Sequence, residues 1–250
     1  MRARWTEGPA ELTLVRHGES LGNRADAAAR EAKAERLDLD QRDADVALSD
    51  TGQEQADGVA AWLGGAGAAA PPDLVISSPY RRARETAERM VSGLDVDLVF
   101  DERLRERDLG VFDGLTGLGI RARYPDEAKR RQKLGKFYYQ PPSGESWCDV
   151  VLRVRSLLQD LRHGYDGARL WLVTHQAVIM SFRYALEELS EEDLLEIDRE
   201  VQIPNASMTT YRRDGDRLEL IGFADTTAVD ETAADVTHEE PLGSGQREHA

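Results

Sequence analysis

The chain has 250 residues, 40% of them apolar, and a formal net charge of −15. That length suits one α/β domain with a substantial core. The charge repels nucleic acid and anionic membrane surfaces at long range, and no apolar run approaches the ~20 residues of a membrane span.

Cys148 is the single cysteine, so no intrachain disulfide can form, which fits a cytoplasmic location. The five histidines and this cysteine show no metal-ligand spacing of the zinc type. Residues 1–10 lack the apolar segment of a secretory signal and read as a flexible leader.

A short apolar run, 11–15, changes abruptly into Arg16-His17-Gly18. Strand ends that feed a turn are where α/β proteins place reactive groups. Arginine offers a fork of donors for an oxyanion, and histidine is the side chain that is uncharged yet nucleophilic near neutral pH. Residues 24–45 are dense in charge and alanine and read as an exposed helix or a mobile flap. Ser49 caps the next helix, with Ala56, Val59, Ala60 and Leu63 inward. Residues 64–72 form a Gly/Ala/Pro linker, and 73–78 a buried strand.

Ser78-Pro79 is a helix-start signal. The helix carries Arg81, Arg82 and Arg84 early, where peptide dipoles also favour anions, and Ala83, Ala87, Met90 and Val91 inward. A strand is expected over 97–100, then the charged turn from Leu104 to Gly110 with Glu106 at its centre. Residues 114–140 carry seven cations (Arg121, Arg123, Lys129, Arg130, Arg131, Lys133 and Lys136) with tyrosines and Phe137 between them. Given the global charge, this segment reads as a pocket lid rather than a nucleic-acid surface. Ser146 caps a helix whose stripe runs Trp147, Val150, Val151, Val154, Leu157, Leu158 and Leu161. A strand over 169–174 ends at His175 and feeds a buried helix over 176–189. Ser190 to Asp193 resembles a capping box. Strands over 208–213 and 217–223 flank Asp214-Gly215-Asp216, a hairpin signature. From residue 224 the chain is polar, with seven acidic residues against one arginine between 225 and 250, and reads as an acidic disordered tail.

Taken together these stretches resemble the histidine phosphatase superfamily, the phosphoglycerate-mutase-like proteins. Leu14-Val15-Arg16-His17-Gly18-Glu19-Ser20 with Asn23 is similar to its first motif. Ser77 to Ala87 is similar to its second-arginine motif, Leu104 to Gly110 to its acid motif, Pro142-Ser143-Gly144-Glu145-Ser146 to a segment of its phosphatase branch, and Val173-Thr174-His175 to its second-histidine motif. Leu48-Ser49, Gly52 and Ala56 are a further landmark.

The resemblance covers about residues 11–223 and implies a three-layer α/β sandwich with a mostly parallel central sheet. It implies catalysis by His17 as nucleophile, with Arg16, Arg82 and His175 holding phosphate oxygens and Glu106 as proton donor. Ser20, Asn23 and the amide of Gln176 are implied substrate contacts, and no metal or cofactor is implied. The expected activity is hydrolysis of a small anionic phosphate ester through phosphohistidine. Phosphoglycerate mutase is the alternative, and an inactive phosphate-binding protein a third. No nucleic-acid or membrane partner is expected, and oligomeric state is not readable from the sequence.

Overall fold

The computed structural model describes residues 5–65, 70–232 and 234–238. Six strands form one sheet: β1 (Glu11–Arg16), β2 (Leu74–Ser77), β3 (Asp97–Phe100), β4 (Arg169–Thr174), β5 (Met208–Asp214) and β6 (Arg217–Asp225). Their order is β3-β2-β4-β1-β5-β6. The first four in that order run parallel, and β5 and β6 are antiparallel additions beyond β1. This is the mixed α/β sandwich expected, with its parallel part at the centre.

Strand periodicity explains the layers. Side chains alternate across a strand. In β1, Leu12 and Leu14 enter one apolar cluster and Val15 another; in β4, Leu170 and Leu172 join the first, Trp171 and Val173 the second. The first cluster is completed by α6 (Trp147–Gly164) and α7 (Gln176–Leu186), the second by α2 (Asp50–Gly64) and α3 (Arg81–Met90). Both faces of the parallel strands are therefore covered. All seven stripe residues of α6 are buried. Among the described residues no helix is long and apolar enough to cross a membrane.

Several expectations shift. Residues 5–10 are not a loose leader: Trp5 is buried, its amide donates to the Asp216 carbonyl, and the Arg162 guanidinium lies over its ring. Residues 1–4 lie outside the described residues. The 24–45 segment begins inside α1 (Leu21–Glu31), capped by Ser20, and continues as irregular chain to a short turn at Asp43–Asp45. Helix α3 starts two residues after Pro79, at Arg81, with Tyr80 at the cap. The 114–140 segment folds as α4 (Gly117–Arg123) and α5 (Pro125–Leu134), with Phe137 and Tyr139 buried beneath. Helix α8 (Glu191–Glu200) has the expected capping box at Ser190 and Asp193.

The acidic tail is also not loose over the part described. Strand β6 continues to Asp225, and α9 (Thr227–Asp230) buries Ala228 and Val229 in the second cluster. Thr237 exchanges hydrogen bonds with Asn205. Hydrophobic alternation misses this anchoring because two small apolar residues suffice for it. Residues 239–250, assigned to the same tail, lie outside the described residues.

One close approach sets where β1 meets α2. A Cβ added at Gly52 would lie 1.9 Å from the Glu19 carbonyl oxygen, and one at Gly18 2.5 Å from the Gly52 carbonyl oxygen. Only hydrogen fits between these backbones. Gly52→Ala is expected to destabilise the protein by about 1–3 kcal/mol in urea unfolding, as overpacking does. Gly64→Ala, where an added Cβ meets nothing within 4 Å, should change little.

Candidate active site

The carboxyl ends of three parallel strands are level. Arg16 pairs with Thr174, and Ser77 with Val173. The ladder continues one residue further: the His17 amide donates to the Thr174 carbonyl at 2.9 Å and the Ser78 amide to the Val173 carbonyl at 2.9 Å. His17, His175 and Ser78 therefore emerge side by side at one edge of the sheet. The His17 and His175 ring centroids are 5.0 Å apart.

Both imidazoles are buried. Burial holds the His17 pKa well below its ordinary value, with Arg82 and Arg16 adding repulsion. His175 is lowered in the same way, by burial first and then by Arg82 and His17. Both are neutral near pH 7. The Nδ1 of His17 lies 2.7 Å from the Gly18 carbonyl oxygen. A carbonyl only accepts, so Nδ1 carries the proton and Nε2 keeps its lone pair. The Nε2 of His175 bonds the Ser78 hydroxyl at 2.8 Å, and its buried Nδ1 has no hydrogen-bond partner among the described residues. An orphaned imidazole nitrogen beside a second histidine and two arginines suits an incoming phosphate oxygen.

The arginines are held from elements far away in sequence. Arg16, fully buried, donates to the Ile203 carbonyl. Arg82 lies on the first turn of α3 with its guanidinium 5.3 Å from the Tyr80 ring centroid. Its terminal nitrogens donate to the Asp43 carboxylate at 2.9 and 3.2 Å. Thus the 24–45 segment delivers an acidic side chain to the second arginine, a contact its composition did not disclose.

Glu106 lines a cavity together with Gln176. Its side chain accepts from the Arg107 amide at 2.7 Å. Its loop is clamped from below: Arg153 donates to the carbonyls of Arg103 and Glu106 and pairs with Glu145, which also accepts from the Asp108 amide. This gives the Pro142–Ser146 stretch a mechanical role. Gln176 opens α7, and its buried side-chain oxygen has no hydrogen-bond partner among the described residues. Ser20 and Asn23 bond each other in the capping box of α1.

Sequence reasoning missed Asn205. Its side-chain amide donates to the His17 carbonyl at 3.1 Å and to Asn23 at 3.4 Å. Neighbouring Ala206 has a positive φ of 56°, and its amide donates to the same His17 carbonyl. The Pro204-Asn205 turn was the available signal, but nothing local ties it to a residue almost the whole chain away.

A parallel-sheet edge bearing two neutral histidines and two buried arginines defines a phosphoryl-transfer class of enzyme, which fixes a phosphate with cationic and neutral donors. The comparison with known families specifies it further. The histidine phosphatase superfamily (branch 1) matches residues 12–226, and the chain belongs to it.

Probable phosphoglycerate mutase GpmB of Escherichia coli is 30% identical over 233 residues, covering 91% of this chain and 94% of its own. The bifunctional protein Rv2228c of Mycobacterium tuberculosis is 33% identical over 186 residues, 72% of this chain, but the match spans only 45% of that relative's length. Among solved structures, the native mycobacterial glucosyl-3-phosphoglycerate phosphatase Rv2419c superposes with a TM-score of 0.69 at 28% identity, covering 90% of this chain and all of its own.

Two predictions follow from these contacts. Because both imidazoles titrate lower in the folded protein than in the unfolded chain, the unfolded chain takes up protons first as pH falls through about 6.5. Stability is therefore full above that pH and declines below it, by on the order of 1 kcal/mol per imidazole between pH 7.5 and 5.5. Urea unfolding of wild type and His17→Gln at both pH values should show the smaller loss in the variant. Asp43→Ala, which removes the carboxylate from Arg82 but leaves its 2.7 Å bond to the residue-43 carbonyl, should tighten inorganic phosphate binding about threefold in calorimetry.

Proposed function

We propose that this protein is a metal-independent phosphomonoesterase that works through a phosphohistidine intermediate. The observation that carries the reading is the tautomer of His17: a neutral imidazole with Nδ1 tied to a carbonyl directs its Nε2 lone pair outward, beside Arg16, Arg82 and His175.

Nε2 attacks phosphorus in line, and the bond from phosphorus to the ester oxygen breaks. Glu106, protonated, gives its proton to the departing alcohol oxygen. Arg16, Arg82 and His175 hold the three equatorial oxygens and offset the charge that develops on them. Asn23 and the amide of Gln176 add contacts to the phosphate, and Ser20 contributes by holding Asn23. In the second step water attacks phosphorus, Glu106 takes up a proton from it, and the nitrogen–phosphorus bond breaks. Inorganic phosphate leaves and both side chains return to their starting state.

The substrate in this reading is a small anionic phosphorylated metabolite, acted on in the cytoplasm. Phosphate release from a panel of phosphomonoesters in EDTA tests it, with wild type compared against His17→Ala. Release that resists EDTA and falls by at least about a thousandfold in the variant is the expected outcome. Equal release from both proteins would end the histidine mechanism. Interconversion of 2- and 3-phosphoglycerate without net phosphate release would replace the hydrolase with a mutase.

A further inference from the structure

Ser78 lies one residue past the end of β2 and is fully buried. Its sequence context is that of a helix cap, but it does not serve as one. Helix α3 begins at Arg81, with Tyr80 at the cap position and no side-chain cap. The Ser78 hydroxyl turns instead to His175, whose Nε2 lies 2.8 Å away. It also accepts from the Tyr80 amide at 3.2 Å, a contact local to the turn.

Counting donors and acceptors decides which way the bond to His175 runs. A hydroxyl has one proton to give and two lone pairs to offer. The Tyr80 amide only donates, so it occupies one lone pair. Among the described residues the hydroxyl has no partner besides Tyr80 and His175. With the imidazole proton on Nε2, both neighbours of the hydroxyl would be donors, and its own proton would be buried without an acceptor. Nδ1 would then meet an incoming phosphate oxygen with a lone pair. With the proton on Nδ1 both conflicts vanish. Ser78 donates to Nε2, and the buried Nδ1–H, which has no partner among the described residues, is left for an oxyanion. The doubly protonated ring is disfavoured by burial and by Arg82, His17, Arg153 and Arg16.

We propose that Ser78 is a positioning residue that locks His175 in the Nδ1–H tautomer, so that a neutral imidazole donates to the phosphate. The proposal takes from the phosphomonoesterase reading only that phosphate is the anion received. It gives the two histidines one tautomer and opposite polarity. In His17 the Nδ1 proton is engaged by the Gly18 carbonyl, and the Nε2 lone pair is left to attack. In His175 the Nε2 lone pair is engaged by Ser78, and the Nδ1 proton is left to donate. The turn from Ser78 to Arg82 thereby supplies one phosphate ligand, Arg82, and orients another, His175.

The test reads the tautomer directly. The full chain, isotopically labelled at the histidine nitrogens, is examined by long-range proton–nitrogen NMR correlation near neutral pH, with His175→Gln assigning the ring. Wild type should show a protonated Nδ1 and an unprotonated Nε2 for His175. In Ser78→Ala the Nε2–H form should appear for His175 while His17 keeps its Nδ1 proton. The same variant should bind inorganic phosphate about fivefold or more weakly in calorimetry. Ser78→Thr, which keeps the hydroxyl, should restore at least part of both. A His175 proton on Nε2 in the wild type would overturn the proposal without any variant having to fold. Weaker phosphate binding in Ser78→Ala with the tautomer unmoved would reduce Ser78 to a structural role, and a moved tautomer with unchanged affinity would remove its link to phosphate; either overturns the proposal. Turnover by the wild-type protein is read separately. The expected tautomer and affinity changes without phosphate release from any ester would leave Ser78 standing and remove the phosphatase, whereas release by a protein with the opposite tautomer would do the reverse.

Discussion

The site depends on backbone pairing that continues past the ends of the strands. The His17 and Ser78 amides bond to β4 carbonyls at 2.9 Å, extending a register already fixed by the buried alternation of β1 and β4. A slip of one residue would turn Leu12 and Leu14 away from their cluster and send His17 out of reach of His175. The energy that holds this geometry is thus mostly the burial energy of the core, and the histidines inherit their spacing from it.

Electrostatically the molecule is divided. Its formal charge is −15, yet its interior edge collects arginines around two uncharged imidazoles. Desolvation is the leading cause of the lowered histidine pKa values, and the arginines reinforce it. The same guanidinium groups therefore also help to keep His17 unprotonated. Asp43 meets Arg82 from the opposite sign, so the second arginine is already shared before any anion arrives.

The parts legible in the sequence were those with local signatures. The apolar run into Arg16-His17, the α6 stripe and the serine caps all have short-range causes, and the corresponding elements lie within a few residues of expectation. Ser78 shows the limit: it was read as a helix cap, but its hydroxyl bonds His175 while also accepting from the Tyr80 amide. Asn205 and Asp43 were illegible for one reason. Each acts through a partner brought near only by tertiary folding, and no periodicity records that. The buried beginning of the acidic tail was missed because its charge dominates its composition, while Ala228 and Val229 do the packing.

That tail has a further consequence. The Asp235 carbonyl accepts from Gln55, whose side-chain oxygen accepts from the Glu19 amide, and the Thr237 carbonyl accepts from the Asn205 amide. Asn205 in turn holds the His17 carbonyl. Residues 234–238 thus act as a tie rod between the end of β1 and α2. The stretch whose composition most invites truncation is mechanically continuous with His17. A cut made there to obtain a tidier domain would slacken the sheet edge that carries the two histidines while leaving the hydrophobic core almost untouched.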